Sequence, residues 1–143
     1  MKCTIDASVF VASVRYDEPV YFVSREFLRE AQAYEIHCPA LVLTECAAAI
    51  ARQTDDPTLA EELVCIIEDF PGINFVSLDH PLARKASKIA QINRLRGADA
   101  VYAAVATEFD AVLISWYQEM LKRCPQTVKT ISPDEWKRSH QPG

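Results

Sequence analysis

The chain has 143 residues, a formal net charge of −5, and hydrophobic residues at 50% of its positions. These values predict a single domain over residues 1–143 with a sizeable core, and no apolar run approaches the ~18 residues that a membrane-spanning helix needs. The acidic balance excludes a protein that binds nucleic acid over a broadly basic surface, although a local basic rim around an acidic site remains compatible with it.

The first predicted element is a short strand over residues 3–5 that ends at Asp6 and is followed by small and apolar residues. A strand of this kind is typical of the centre of a buried sheet. Ligands of open α/β sheets bind outside the carboxyl ends of the strands, so Asp6 is a candidate binding residue. The alternative is that its side chain only caps the next turn.

A helix is predicted from Asp17-Glu18-Pro19 to about Tyr34, because proline and an acid both favour a first turn. We interpret this helix as structural. Its predicted apolar stripe consists of Phe22, Phe27, Leu28 and Ala31.

Glu45 is a single carboxylate in the small and apolar stretch 39–52. Glutamate is almost never fully buried without a partner. It is also a poor helix N-cap, and apolar residues precede it. The surroundings of Glu45 therefore favour a functional role over a cap.

Three elements follow before the next acidic site. Residues 58–70 predict an amphipathic helix, residues 73–78 alternate as a strand does, and Asp79 is placed to cap a helix that runs to about residue 95. The predicted inward residues of the first of these helices are Leu59, Leu63, Ile66, Ile67 and Phe70.

The stretch from Gly97 to Ala106 predicts a helix that is apolar all round, as helices inside a domain are. Asp99 lies near its start, and a buried carboxylate must be paired, hydrogen-bonded or bound to a metal. The alternative is a first-turn acid that faces the helix dipole. Arg94 and Arg96 precede it, and they could either stabilise this acid or contact a phosphate backbone.

The remaining elements are a continuous apolar strand over 111–115, a short helix over 116–123 and a strand over 127–131. Ser132-Pro133-Asp134-Glu135 has the pattern of a capping box. We expect a loose tail from about residue 138.

Alternating strands and helices predict a three-layer α/β/α sandwich around a mostly parallel twisted sheet. Asp6, Glu45 and Asp99 could then meet at one edge of that sheet. Carboxylate oxygens without thiols or paired histidines suit Mg²⁺ or Mn²⁺ rather than zinc. Such an ion would activate a water and stabilise charge on a phosphate.

The chain resembles the PIN domain family, and more narrowly the VapC-type toxin ribonucleases. The resemblance is carried by Ile5-Asp6-Ala7-Ser8, by Leu43-Thr44-Glu45 and, most specifically, by Arg96 to Ala106. It implies a Mg²⁺- or Mn²⁺-dependent endoribonuclease in which Asp6, Glu45 and Asp99 bind the metal and Ser8 supports the site. It also implies an RNA substrate, a homodimer and a small antitoxin partner.

The chain departs from the family pattern at Tyr117. The family commonly has a fourth acid in a Thr/Ser-x-Asp pattern, and the corresponding residues are Ser115-Trp116-Tyr117. Asp110 lies before the strand, roughly 17 Å away at the opposite end. Glu119 is closer, and it could reach the site directly or through water.

Tyr117 leaves two functions open. In the first, the three remaining acids support cleavage, and Tyr117 stacks on a base or sits at the mouth of the site. In the second, the chain is a catalytically weakened PIN-like module that binds RNA or an antitoxin. Other phosphoryl-transfer folds are disfavoured, because a P-loop needs a glycine-rich turn and the chain has three glycines.

Five cysteines in the chain form no Cys-x-x-Cys pair. We therefore expect reduced, mostly buried thiols in a cytoplasmic protein. The first residues lack the long apolar segment of a signal peptide.

Overall fold

Within residues 1–140, five parallel strands form a single sheet in the order β3-β2-β1-β4-β5. The structure is a computed structural model, and it describes residues 1–140. The strands are β1 (Lys2–Ile5), β2 (Glu35–Pro39), β3 (Ile73–Val76), β4 (Val112–Ile114) and β5 (Thr130–Ile131).

The helices connect these strands and cover both faces of the sheet. Those within residues 1–140 are α1 (Ala7–Ala12), α2 (Tyr21–Ala31), α3 (Leu41–Thr54), α4 (Pro57–Glu68), α5 (His80–Asn93), α6 (Gly97–Phe109), α7 (Gln118–Arg123) and α8 (Pro133–His140). Right-handed crossovers place α1 to α4 on one face, because β1, β2 and β3 succeed one another in one direction. The return from β3 to β4 reverses direction and places α5 and α6 on the other face. The predicted three-layer α/β/α architecture is confirmed.

The chain reverses the order of its strands between β1 and β4. Ile5 pairs with Ile114 at the ends of these two strands, so Asp6 and Ser115 follow them side by side. A crevice opens where the strand order reverses in an open α/β sheet, and ligands of such folds bind there. The fold therefore brings the first predicted site residue to the position where binding is expected.

Helix α6 is buried on all sides, as predicted. Each residue from Asp99 to Ala106 is buried. The helix packs against α5 and against strands β1, β2 and β4. Small alanine side chains let these backbones approach closely, which is why the sequence of α6 has no polar face.

Two predicted core residues are exposed. Phe22 is 74% exposed and Ile66 is 52% exposed. At 3.6 residues per turn, Phe22 lies about 170° from the centre of the buried face of α2, and Ile66 lies about 90° from that of α4. Helix α2 also begins at Tyr21, because residues 15–20 form turns ahead of it.

The tail that the sequence predicts to be loose from about residue 138 begins within helix α8. Helix α8 continues to His140, and the Trp136 and His140 rings stack with their centroids 5.2 Å apart. The predicted cap is present, since the backbone N–H of Glu135 donates to Ser132 Oγ at 3.1 Å. Residues 141–143 lie outside the described residues.

The five cysteines carry free thiols. Cys3, Cys38 and Cys46 are buried in the sheet and in α3, whereas Cys65 is exposed on α4. Burial raises the pKa of the Cys3 and Cys38 thiols to about 12, so these two stay protonated at neutral pH. Among the helices within residues 1–140, none has the length and hydropathy that crossing a membrane requires.

Candidate active site

Asp6 is fixed at the carboxyl end of β1. Its backbone N–H donates to the Ile114 carbonyl at 2.9 Å, which continues the pairing of β1 with β4. Its side chain is 1% exposed and caps α1 by accepting a hydrogen bond from the Ser8 backbone N–H at 3.2 Å. Asp6 is therefore a cap, as the simpler interpretation holds, but capping explains only part of its environment.

Two serine hydroxyls also donate to Asp6 Oδ2. The distances are 2.6 Å from Ser8 Oγ and 3.0 Å from Ser115 Oγ. Each serine also accepts a backbone N–H, Ser8 from Trp116 and Ser115 from Tyr117, both at 3.0 Å. The hydrogen bonds to the Asp6 carboxylate within residues 1–140 all reach Oδ2, so Oδ1 keeps its acceptor capacity.

The Asp6 carboxyl holds its proton unusually tightly. Burial raises its pKa to about 6, the hydrogen bonds from Ser8 and Ser115 lower it, and the negative charge of Glu45 raises it. A cation beside Asp6 would favour the ionised form and offset the cost of burying that charge.

Asp99 lies in the first turn of α6 and is 3% exposed. The N-cap is Arg96, and no side chain caps this helix end. Arg96 Nε donates to Asp99 Oδ2 at 3.4 Å. Burial nevertheless raises the pKa of the Asp99 carboxyl, against the lowering effect of Arg96.

Glu45 is half-buried on the second turn of α3. Its Oε1 atom is buried and has no hydrogen-bond partner within the described residues. Burial raises the pKa of this carboxyl, Tyr102 lowers it, and the charge of Asp99 raises it. Because Glu45 lies past the start of α3 and caps nothing, its burial calls for another explanation.

Two of the three predicted acids, Glu45 and Asp99, line one cleft of about 560 Å³. Asp6 does not line it, but Ser8, which does, donates its hydroxyl to the Asp6 carboxylate. The charge of Glu45 acts on Asp6, and that of Asp99 acts on Glu45. No three His, Cys, Asp or Glu side chains of residues 1–140 are close enough to hold a metal ion as they are placed.

The donors in this cleft fit a divalent cation in their chemistry. All three are carboxylates, which Mg²⁺ and Mn²⁺ prefer. Each has a raised pKa, and one has a buried oxygen without a partner. A cation would relieve both the desolvation and the repulsion among these groups.

Residues 3–125 match the PIN domain family. The chain belongs to this family. The predicted resemblance is thus confirmed at the level of the family. Among curated proteins, none matches the chain.

Solved structures of the same fold include three from different organisms. VapBC2 from Rickettsia felis, bound to a promoter DNA fragment, aligns with a TM-score of 0.68 at 14% identity over 92% of this chain and 98% of that one. PAE2754 from Pyrobaculum aerophilum aligns with a TM-score of 0.69 at 18% identity, over 97% of this chain and 94% of that one. VapC20 from Mycobacterium tuberculosis is a toxin that cleaves the sarcin-ricin loop. It aligns with a TM-score of 0.72 at 13% identity, over 89% of this chain and 98% of that one. At such identities these matches show the fold.

In this PIN domain, Tyr117 occupies the cleft wall where a fourth acid was expected. Its side chain is 44% exposed. The Arg96 guanidinium lies over its ring, 5.6 Å from the centroid. Arg96 therefore contacts both the acid Asp99 and the aromatic residue Tyr117.

The other two acids considered for the fourth position are placed differently. Glu119 is exposed on α7 and does not line the cleft, although its charge raises the pKa of Asp99. Asp110 ends α6 with a φ of 52° and precedes β4. It therefore lies at the opposite end of that strand, as predicted.

The predicted basic residues lie on the turn between α5 and α6. Arg94 and Arg96 are both exposed. Two further arginines were not predicted. Arg123 Nη1 donates to the Arg94 carbonyl at 3.1 Å and so joins α7 to this turn, and Arg52 lines the cleft. No sequence signal distinguished these two arginines from ordinary surface residues.

Proposed function

We propose that this PIN domain is a Mg²⁺- or Mn²⁺-dependent endoribonuclease of the VapC type, which hydrolyses RNA phosphodiester bonds. The observation that carries the proposal is the cleft lined by Glu45 and Asp99, which Ser8 connects to Asp6 at the reversal of strand order. Family membership supports a nuclease, and the similar VapC20 is named as a toxin that cleaves the sarcin-ricin loop.

In this proposal Asp6, Glu45 and Asp99 hold the cation. When bound, the ion supplies activation of a water and stabilisation of charge on the phosphate. Ser8 and Ser115 keep Asp6 oriented through Oδ2 and leave Oδ1 for the cation.

The RNA is held by groups around the cleft. Arg94 and Arg96 contact the phosphate backbone, and Arg123 extends the same basic rim. Tyr117 presents an exposed ring at the cleft wall, on which a base can stack. Glu119 stays in a supporting role, through its charge on Asp99 and Arg96.

The test is cleavage of structured RNA by the purified protein with Mg²⁺ or Mn²⁺ and with EDTA. We expect cleavage only with the metal, and we expect Asp6→Asn and Asp99→Asn each to abolish it. Asp110→Asn is the matched control, because that acid lies at the far end of β4. Cleavage that survives both active-site substitutions would contradict the assignment of these residues.

The proposed partners are a small antitoxin and a second copy of the chain. Similar structures include toxin-antitoxin complexes, such as one from Klebsiella pneumoniae. The described surface carries large exposed apolar residues, among them Phe22 at 74% and Ile92 at 79% exposure. Light scattering during size-exclusion chromatography, with and without a co-expressed antitoxin, measures both assemblies.

The cytoplasmic location expected from the cysteines stays a prediction.

A second candidate function is a catalytically weakened PIN module that binds RNA or an antitoxin. Two observations favour it: Tyr117 replaces the expected fourth acid, and no three ligands within residues 1–140 are assembled as placed. Retained RNA or partner binding without metal-dependent cleavage would select this function over the first.

A further inference from the structure

Three buried polar side-chain atoms within residues 1–140 have no hydrogen-bond partner. They are Thr4 Oγ1, Glu45 Oε1 and the Tyr102 hydroxyl oxygen. Buried polar groups of folded proteins are almost always paired, so each exception needs an explanation. Two of these three atoms belong to residues at the candidate active site.

Tyr102 lies one helical turn beyond Asp99 on α6. Residues three apart share a helix face, so its side chain lies on the same side as that acid. It is 0% exposed and packed in the core beneath the cleft. Burial raises the pKa of its phenol, the nearby charges of Asp6 and Glu45 raise it further, and the hydroxyl therefore keeps its proton.

The hydroxyls around these acids differ in whether they already donate a hydrogen bond. Those of Ser8 and Ser115 already donate to Asp6. The Tyr102 hydroxyl has a proton to donate, and the Glu45 carboxylate can only accept. Neither atom has a hydrogen-bond partner within residues 1–140, and the two groups are near enough for each to shift the pKa of the other.

We propose that Tyr102 is a positioning residue, whose hydroxyl donates to Glu45 Oε1 and turns the second carboxylate oxygen toward the cation. Glu45 is the side chain that adjusts, because it is half-buried with three rotatable bonds, whereas Tyr102 is enclosed. This inference rests on the proposed function, since it supplies the orientation that a metal ligand on α3 needs.

The first experiment measures Mn²⁺ affinity by calorimetry for wild type and Tyr102→Phe. We expect about a 10- to 100-fold loss of affinity, the usual effect of removing the partner of a metal ligand. Tyr34→Phe is the matched control, because its hydroxyl accepts from Trp136 Nε1 at 3.2 Å, away from the acids. It should bind Mn²⁺ as wild type does. Equal affinity in wild type and Tyr102→Phe would overturn the inference and leave the nuclease proposal standing.

The second experiment needs no metal and guards against a variant that folds poorly. The Tyr102 hydroxyl proton should give a slowly exchanging NMR signal, which is absent in Tyr102→Phe and shifted in Glu45→Gln. A signal that Glu45→Gln leaves unmoved, or the absence of any such signal, would overturn the inference. If that signal responds but wild type binds no Mn²⁺, the metal-dependent nuclease itself is wrong.

Discussion

Ser115 donates a hydrogen bond of 3.0 Å to Asp6, which lies 109 positions earlier in the chain. The two residues follow the paired ends of β1 and β4, so the sheet itself brings them together. Because Ser115 Oγ also accepts the Tyr117 backbone N–H, one hydroxyl joins the first candidate acid to the cleft wall.

Replacing Ser115 with alanine should weaken both the fold and the metal site. The hydrogen bond from Ser115 lowers the pKa of Asp6, so its loss raises that pKa above about 6. We expect the pH at which Mn²⁺ binding is half-maximal to move upward, and the free energy of unfolding to fall by ~1–3 kcal/mol. Calorimetric titrations across pH and urea unfolding measure the two effects.

The control is Ser13→Ala. Ser13 is also buried, and its hydroxyl donates to the Phe10 carbonyl at 2.6 Å. This variant should lose stability without moving the pH profile of Mn²⁺ binding. The same shift of the profile in both variants would mean that a general loosening of the fold, rather than the bond to Asp6, is responsible.

Much of the fold could be predicted because it follows from local patterns. The all-round apolar sequence of α6 predicts a buried helix, and Ser132-Pro133-Asp134-Glu135 predicts the start of α8. Phe22 was misplaced because it is apolar, although at 3.6 residues per turn it lies opposite Phe27, Leu28 and Ala31 on α2. The start of α2 was also misplaced, because residues 15–20 form turns. Local patterns give the type of an element more reliably than its first residue.

The site was predictable only in part. Asp6 and Asp99 stand out because each is a carboxylate among small apolar residues. In the sequence, Tyr102 resembles any aromatic residue of the core, because nothing there indicates that its hydroxyl lacks a hydrogen-bond partner. The contact of Arg123 with the Arg94 carbonyl depends on the packing of α7 beside the α5–α6 turn, which no spacing in the sequence encodes.

The Asp6 carboxyl should make the metal-free protein less stable as pH rises. Its pKa is about 6 in the fold against an ordinary 3.8, so the folded state binds more protons between these values. The free energy of unfolding therefore falls by about 3 kcal/mol as pH rises through this window, and the whole decrease is present above pH ~6. Urea unfolding in EDTA from pH 4 to pH 7 measures it.

Asp6→Asn isolates this contribution, because asparagine does not titrate. Its free energy of unfolding should fall less between pH 4 and pH 7 than that of wild type, although Glu45 and Asp99 still contribute in the same direction. Saturating Mn²⁺ at pH 7 should stabilise wild type more than this variant. Identical pH dependence in the two proteins would show that Asp6 does not carry the raised pKa.

Tyr117→Asp should increase metal affinity. The substitution restores a carboxylate where the family commonly has its fourth acid, and position 117 lines the cleft with Glu45 and Asp99. One more negative ligand strengthens binding of a divalent cation. Mn²⁺ titration by calorimetry measures the change, and RNA cleavage assays test whether activity rises with it.

Tyr117→Asn provides the comparison, since it removes the ring and the contact with Arg96 but adds no charge. A gain confined to the aspartate variant would identify the carboxylate as its cause. Should both variants bind Mn²⁺ as wild type does, position 117 lies outside the metal site, and the ring of Tyr117 remains a candidate for stacking on RNA.

Arg96→Gln should weaken RNA binding and reduce its dependence on salt. The Arg96 side chain is 68% exposed beside Asp99, so it can reach a phosphate at the cleft edge. Removing one phosphate contact lowers the slope of log affinity against log salt by about 0.7 to 0.9. Binding is measured by fluorescence anisotropy in an Asp6→Asn background, where no cleavage is expected.

Arg84→Gln is the control, because it removes the same charge from an exposed position on α5, and it should leave the slope unchanged. If Arg96→Gln and Arg84→Gln lose RNA affinity and salt dependence equally, Arg96 acts only through its contribution to the net charge.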